Sequence, residues 1–179
     1  MSRENQGVYQ GHARYRVVPR VLCFVTYGDE VLLLRGGPRK RLWAGLYNGV
    51  GGHLEPSEDI RTAVLREVKE ETGLDVGDVR LRGVVHVDVD DPTMGVLFFV
   101  FTASAPSKQV VPTAEGSLEW FNVQALPSTE MVEDLPVILP VVLAMGPADP
   151  PFFAFYSYDA NNRLVISFSG GGDLPKELS

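Results

Sequence analysis

The sequence predicts an α/β or α+β fold built on a mixed sheet. Strand-like and helix-like segments alternate along the chain rather than falling into separate blocks, and one well-capped helix sits between two β-rich stretches. With 179 residues the chain is the size of a single domain, since one core rarely divides below roughly 250 residues. No internal repeat is evident.

Residues 1–13 are polar and glycine-bearing, and residues 170–179 begin with three glycines, so both read as flexible tails around a single domain at 14–169. Tyr15 to Tyr27 is rich in β-branched and aromatic residues, and Gly28-Asp29 is a tight-turn signal before the apolar run Val31 to Leu34. This predicts a hairpin. A helix is expected to open at Ser57-Glu58, with Ser57 as N-cap and acids in the first turn, and to run to Thr72 before the stop at Gly73. Val79 to Val89 and Gly95 to Ala103 read as two strands joined by Asp90-Asp91-Pro92-Thr93-Met94. A short strand at Leu118 to Phe121 precedes a second helix from about Asp134 to Leu143, where Pro136 fits the first turn and Pro140 is expected to kink it. Phe152 to Tyr158 and Leu164 to Phe168 form the last hairpin, around Asp159-Ala160-Asn161-Asn162.

Composition narrows the function. Acids outnumber bases 23 to 16, for a formal charge of -7. That balance offers no basic footprint for duplex nucleic acid. The single cysteine, Cys23, lies in the apolar run Val21 to Val25, which excludes a disulfide framework and a cysteine-based zinc site and fits a reducing compartment. No apolar run approaches the roughly 18 residues of a membrane span, and the first residues lack a signal peptide's apolar stretch. A cytoplasmic location without membrane contact is the expectation.

Within the first helix, the charges are in an unusual place. Ile60, Val64 and Val68 mark the face that should pack on the sheet. At about 100° per residue, Glu71 falls between Ile60 and Val64 on the wheel and Glu67 lies roughly 20° to one side, with Glu70 further round. Half-burying unpaired carboxylates costs several kcal/mol. A cation must therefore sit there; Arg66 can brace Glu70, but one guanidinium cannot neutralise three acids. Mg²⁺, or Mn²⁺ in its place, prefers carboxylate oxygens and water and leaves sites for substrate phosphates.

Reading outward from those acids gives Gly52-His53-Leu54-Glu55-Pro56-Ser57-Glu58, and then, seven residues on, Arg66-Glu67-Val68-Lys69-Glu70-Glu71-Thr72-Gly73-Leu74. This run resembles the Nudix box, Gly-x5-Glu-x7-Arg-Glu-U-x-Glu-Glu-x-Gly-U with U a bulky aliphatic, and misses no defined position. The resemblance implies an α/β/α sandwich with a mixed β-sheet and Mg²⁺-dependent hydrolysis of a nucleoside diphosphate linked to another moiety. It also implies metal ligands at Glu67, Glu70 and Glu71, a contribution from the Gly51 carbonyl, and Arg66 as their orienting partner. Glu58 is expected to be structural. A further acid from outside the box is expected at Glu115, with Glu119 as its rival, and the general base is either Glu67 or Glu115.

Outside the box, Tyr47-Asn48-Gly49-Val50-Gly51-Gly52 is similar to a run in the MutT-like branch that removes oxidised purine nucleoside triphosphates. By that resemblance Asn48 lies at the base pocket, Asp134 and Glu133 read the purine edge, and the aromatic run Phe152 to Tyr156 forms a closing strand. His86 and Asp88 occupy positions where that branch carries pocket walls. Arg35, Arg39, Lys40 and Arg41 could steer a polyphosphate inward. The leading expectation is thus a MutT-like pyrophosphohydrolase acting on a small nucleotide such as 8-oxo-dGTP, working as a monomer or homodimer. An ADP-ribose or nucleoside diphosphate-sugar pyrophosphatase is the alternative within the same chemistry, and a non-catalytic nucleotide sensor is the alternative outside it.

Overall fold

A computed structural model describes residues 14–38, 43–111 and 115–169, with the backbone of Glu177–Leu178. The strands are β1 (Arg16–Tyr27), β2 (Glu30–Gly36), β3 (Tyr47–Asn48), β4 (Val50–His53), β5 (Gly77–Asp88), β6 (Met94–Ser104), β7 (Gly116–Asn122), β8 (Phe152–Tyr158), β9 (Leu164–Ser169) and β10 (Glu177–Leu178). Helix α1 is Ile60–Thr72 and helix α2 is Leu135–Ala144. The sheet runs β10-β9-β8-β5-β6-β1-β2-β3, with β4 paired to β1 and β7 to β2.

The sheet is mixed, because β1 pairs with β6 and β5 with β8 in parallel while the remaining ladders are antiparallel. β1 is the spine. Along one edge it carries β6 over its whole length, and along the other it carries β4 opposite Arg20–Cys23 and then β2 opposite Val25–Tyr27. Both faces of β1 are covered, which explains its nearly continuous apolar sequence. Val21, Cys23 and Val25 pack with Ala63, Val64 and Val68 of α1. Phe24 packs on the other face with Leu135, Ile138 and Leu139 of α2. One helix on each side of a mixed sheet is the α/β/α sandwich expected from the sequence.

The strand pairs β1–β2, β5–β6 and β8–β9 form as the turn signals predict. The start of α1 differs. Its N-cap is Asp59, whose carboxylate accepts from the backbone N–H of Arg61 at 2.8 Å and of Thr62 at 3.1 Å. Ser57, at φ 76°, sits in a left-handed turn before the helix, and the first turn of α1 contains no acid. An ionised carboxylate satisfies two orphan donors at once, which the Ser57 hydroxyl cannot do from that turn. The C-terminal stop is as expected, with Gly73 at φ 75° and its N–H bonded to the Lys69 carbonyl. Helix α2 continues through Pro140. Strands β3 and β4 were not legible as strands, being short and rich in glycine. Residues 1–13 and, apart from Glu177–Leu178, 170–179 lie outside the described residues.

Candidate active site

Strand β4 lies against α1, and its glycines are what allow the approach. The Gly51 N–H donates to Glu71 Oε2 at 2.9 Å, tying the strand to a carboxylate that is only 6% exposed. A Cβ on Gly51 would collide with the Val21 carbonyl oxygen, and one on Gly52 would collide with the Glu67 carboxylate. Side chains at either position would push the strand away from the acids.

Arg66 organises the rest of the helix face. Its Nη2 and Nε donate to the two oxygens of Glu58 at 2.7 and 3.1 Å, and its Nη1 donates to Glu67 at 2.9 Å and Glu70 at 3.2 Å. Nη2 also reaches the His53 carbonyl oxygen at 3.1 Å. The Glu58 hydrogen bonds are the leading reason that the Arg66 pKa lies above its ordinary value. In return, Arg66 and then the Glu55 N–H hold the Glu58 carboxyl below its ordinary range. Glu58 is therefore the anchor of Arg66, and Arg66 sets the carboxylates of Glu67 and Glu70.

These groups form one wall of a cavity of about 1010 Å³. Glu67, Glu70 and Glu71 line it, as do the Gly51-Gly52 backbone and Glu115. Glu115 is placed by the turn before β7, where its carbonyl accepts from the Gly37 N–H at 3.0 Å. Asn48, Glu133 and Asp134 line the same cavity, together with the rings of Phe98 and Tyr156. The Asn48 Oδ1 accepts from the Gly49 N–H at 2.8 Å, and Glu133 Oε1 accepts from the Leu164 N–H at 3.4 Å. Asp134 is the N-cap residue of α2 without a side-chain capping bond, and it accepts instead from the Tyr156 hydroxyl at 3.3 Å. Burial pushes its carboxyl up to about 6, against the smaller opposing pull of its hydrogen bonds. Burial, then the Asp134 charge, raises the Tyr156 phenol as well.

Other expected site residues lie elsewhere. His86 accepts or donates with the Tyr15 hydroxyl at 2.6 Å and packs on Phe155, on the sheet face away from the cavity. The cause is a register shift in β5 between Leu81 and Gly83, after which Val85 and Val87, not His86, turn toward the α2 side. Asp88 accepts from the Asp90 N–H at 2.9 Å and serves the turn. Arg35 is held by Glu130 at 2.8 Å and by the Gly45 carbonyl at 2.9 Å, with its guanidinium over the Tyr47 ring. It borders a separate pocket with Gly116 and Ser117. Glu119 hydrogen-bonds Tyr47 and does not line the main cavity. Arg39, Lys40 and Arg41 lie outside the described residues. Arg20, not among the residues expected at the site, lines the cavity from β1; its signal in the sequence is a charged residue on the same strand face as Leu22 and Phe24.

Every side-chain donor on the glutamate wall is an oxygen, the ligand type that hard cations take. Among the described residues no group of three or more His, Cys, Asp or Glu side chains is arranged to hold a metal ion. A cation that keeps several waters and takes oxygens from substrate phosphates does not require a complete cage of side chains. No helix among the described residues is long and apolar enough to cross a membrane.

Comparison with known proteins bears on this arrangement. The NUDIX domain model matches residues 16–142, from β1 into α2. The NAD-capped RNA hydrolase NudC of Pseudomonas aeruginosa is 33% identical over 118 residues, which span 65% of this chain and 40% of that protein. The chain thus matches less than half the length of that relative. The uncharacterized Nudix hydrolase YvcI of Bacillus subtilis is 33% identical over 113 residues, 61% of this chain and 68% of YvcI. A MutT protein structure from Bacillus halodurans superposes with TM-score 0.69 at 26% identity, covering 86% of this chain and 97% of that one. The NUDIX domain of Shewanella oneidensis NrtR, solved with ADP ribose, shares the fold with TM-score 0.61 at 19% identity over 80% of this chain and 97% of that one. With the family match running from β1 into α2 and taking in every acid of the α1 face, this chain belongs to the Nudix family.

Proposed function

We propose that this chain is a Mg²⁺-dependent Nudix pyrophosphohydrolase that cleaves a nucleoside triphosphate, an oxidised purine nucleotide such as 8-oxo-dGTP, to monophosphate and pyrophosphate. The observation that carries this reading is that one cavity has a glutamate wall suited to metal and phosphate, and also Asn48, Glu133 and Asp134 among aromatic rings. A polyphosphate resists attack because its oxygens are negative; a bound divalent cation, Mg²⁺ or Mn²⁺, supplies the neutralising charge and activates water.

Glu67, Glu70, Glu71 and Glu115 would hold the metal, together with the Gly51 carbonyl. Arg66 positions Glu67 and Glu70, so its role is to orient them rather than to meet the substrate. Either Glu67 or Glu115 takes the proton of the attacking water. Asn48 offers an amide donor and acceptor to a base, and Asp134 offers an acceptor when ionised or a donor when protonated. A substrate that this cavity encloses is a small nucleotide, and a cytoplasmic setting is part of the same proposal.

A second reading is favoured by the NudC relatives, whose name specifies an NAD-capped substrate. On that reading the substrate is a nucleoside diphosphate joined to a second group, as in NAD, ADP-ribose or a nucleotide sugar. Incubation of the purified chain and Mg²⁺ with canonical and oxidised triphosphates, NAD and ADP-ribose, followed by product identification, tests both. Pyrophosphate from a triphosphate supports the first, and two monophosphates from NAD or ADP-ribose replace it with the second. Tight binding without turnover of any of them overturns both in favour of a sensor.

A further inference from the structure

Arg20 enters the cavity from the middle of β1, where its neighbours across the sheet are His53 of β4 and Phe98 of β6. It thus stands between the strand that touches the glutamates and the ring that lies near Asp134. Strand alternation puts Arg20 on the face of Leu22 and Phe24, which continue into the α2-side core, so a charge here is out of keeping with its row. Its Nε–H is shut from solvent and has no acceptor among the described residues. Buried donors of this kind are rarely left unpaired in a folded protein. Arg66, on the other wall, is fully engaged with Glu58, Glu67, Glu70 and the His53 carbonyl and has no such vacancy at its Nε.

A guanidinium presents several donors in a planar fork that matches two oxygens of a phosphate. Resting on the reading of this cavity as a nucleotide site, we propose that Arg20 is a substrate-binding residue that receives a non-bridging oxygen of the phosphate nearest the nucleoside. The glutamate wall, with a metal bound, would serve the anhydride that is cleaved, and Arg20 meets the phosphate on the nucleoside side of that bond, toward the base. Its contact requires no metal.

The test compares binding of guanosine with GMP, and of 8-oxo-deoxyguanosine with its 5′-monophosphate, by calorimetry in EDTA. Wild type, Arg20→Gln and Arg20→Lys are measured, with thermal unfolding to establish that each is folded; Arg20→Met replaces Arg20→Gln should that variant not fold. Wild type is expected to favour monophosphate over nucleoside by about 10-fold or more, the size of a charge-assisted hydrogen bond pair. Arg20→Gln should bring that ratio to within about 2-fold, and Arg20→Lys should keep part of it. An unchanged ratio in folded Arg20→Gln overturns the assignment while leaving the nucleotide site intact. Equal weakening of nucleoside and monophosphate also overturns it, because the arginine then serves the base or the fold. Failure of wild type to bind any of the four overturns the nucleotide reading along with it.

Discussion

The Gly51 N–H and Glu71 Oε2 lie 2.9 Å apart across a sequence separation of 20 residues, joining the glycine strand to the acidic helix. Through this bond the backbone at the cavity edge and a buried carboxylate hold each other in place. Glu71→Gln keeps an oxygen acceptor for that N–H but removes the negative charge. We expect folding stability to change by less than about 1 kcal/mol while kcat falls at least about 10²-fold. Chemical denaturation and steady-state kinetics measure the two; retained activity would remove Glu71 from the metal site.

Gly52→Ala separates position from charge. The new methyl group falls on the Glu67 carboxylate and must displace it, although every acid remains. A shift of about 1 Å at a reacting group can cost around 10²-fold in rate. The expected outcome is a loss of that order in kcat with little change in the unfolding midpoint.

Arg66 is the hub of four acceptors, and its partners Glu58 and Glu67 are only 11% and 14% exposed. Arg66→Ala leaves those carboxylates crowded without their cation. We expect a lower unfolding midpoint, together with a fall in activity that Arg66→Lys rescues in part. Lysine restores the charge but cannot hold Glu58 in two-point fashion. Full activity in folded Arg66→Ala would show that Glu67 and Glu70 need no positioning.

Asp134 gives a pH signature. Its carboxyl is raised to about 6 in the fold from an ordinary 3.8, so between those values the folded protein holds a proton that the unfolded chain releases. Its stabilising contribution is complete below pH 3.8 and is lost as pH rises through about 6. Asp134→Asn should therefore be more stable than wild type at pH 7.5, by about 2–3 kcal/mol at most, and equal to it near pH 4. Urea unfolding at the two pH values checks this, and a gap that does not change with pH would contradict it.

Cys23 is fully buried beneath α1, and burial pushes its thiol up to about 12. Neither access nor thiolate is available at neutral pH. A thiol reagent should label the native protein only at the rate of its unfolding, and label it at once in denaturant. Rapid stoichiometric labelling of the native state would place Cys23 at the surface.

Much of this was legible in the sequence, for identifiable reasons. The strands β1, β5, β6, β8 and β9 declare themselves because local β propensity and turn residues agree with their final pairing. The position of Glu71 was legible because a helix of fixed period carries each residue to a calculable angle, and the structure finds it buried on the face of Val64 and Val68. The N-cap was misplaced because Ser57 and Asp59 both carry capping side chains, and the left-handed turn at Ser57 decides between them.

Sequence by itself determined the two helices, the main hairpins and the gathering of Glu67, Glu70 and Glu71 on one side of α1, since each depends on residues close together in the chain. Tertiary structure decided the remainder of the cavity. A one-residue irregularity in β5 turned His86 outward and Val87 inward, and long-range contacts committed Arg35 to Glu130 and Glu119 to Tyr47. It also brought Arg20, Glu115 and Asp134, from three distant segments, around one space. Local propensity carries no information on strand register or on which side chains meet across a sheet, because those are fixed by the packing of both faces at once.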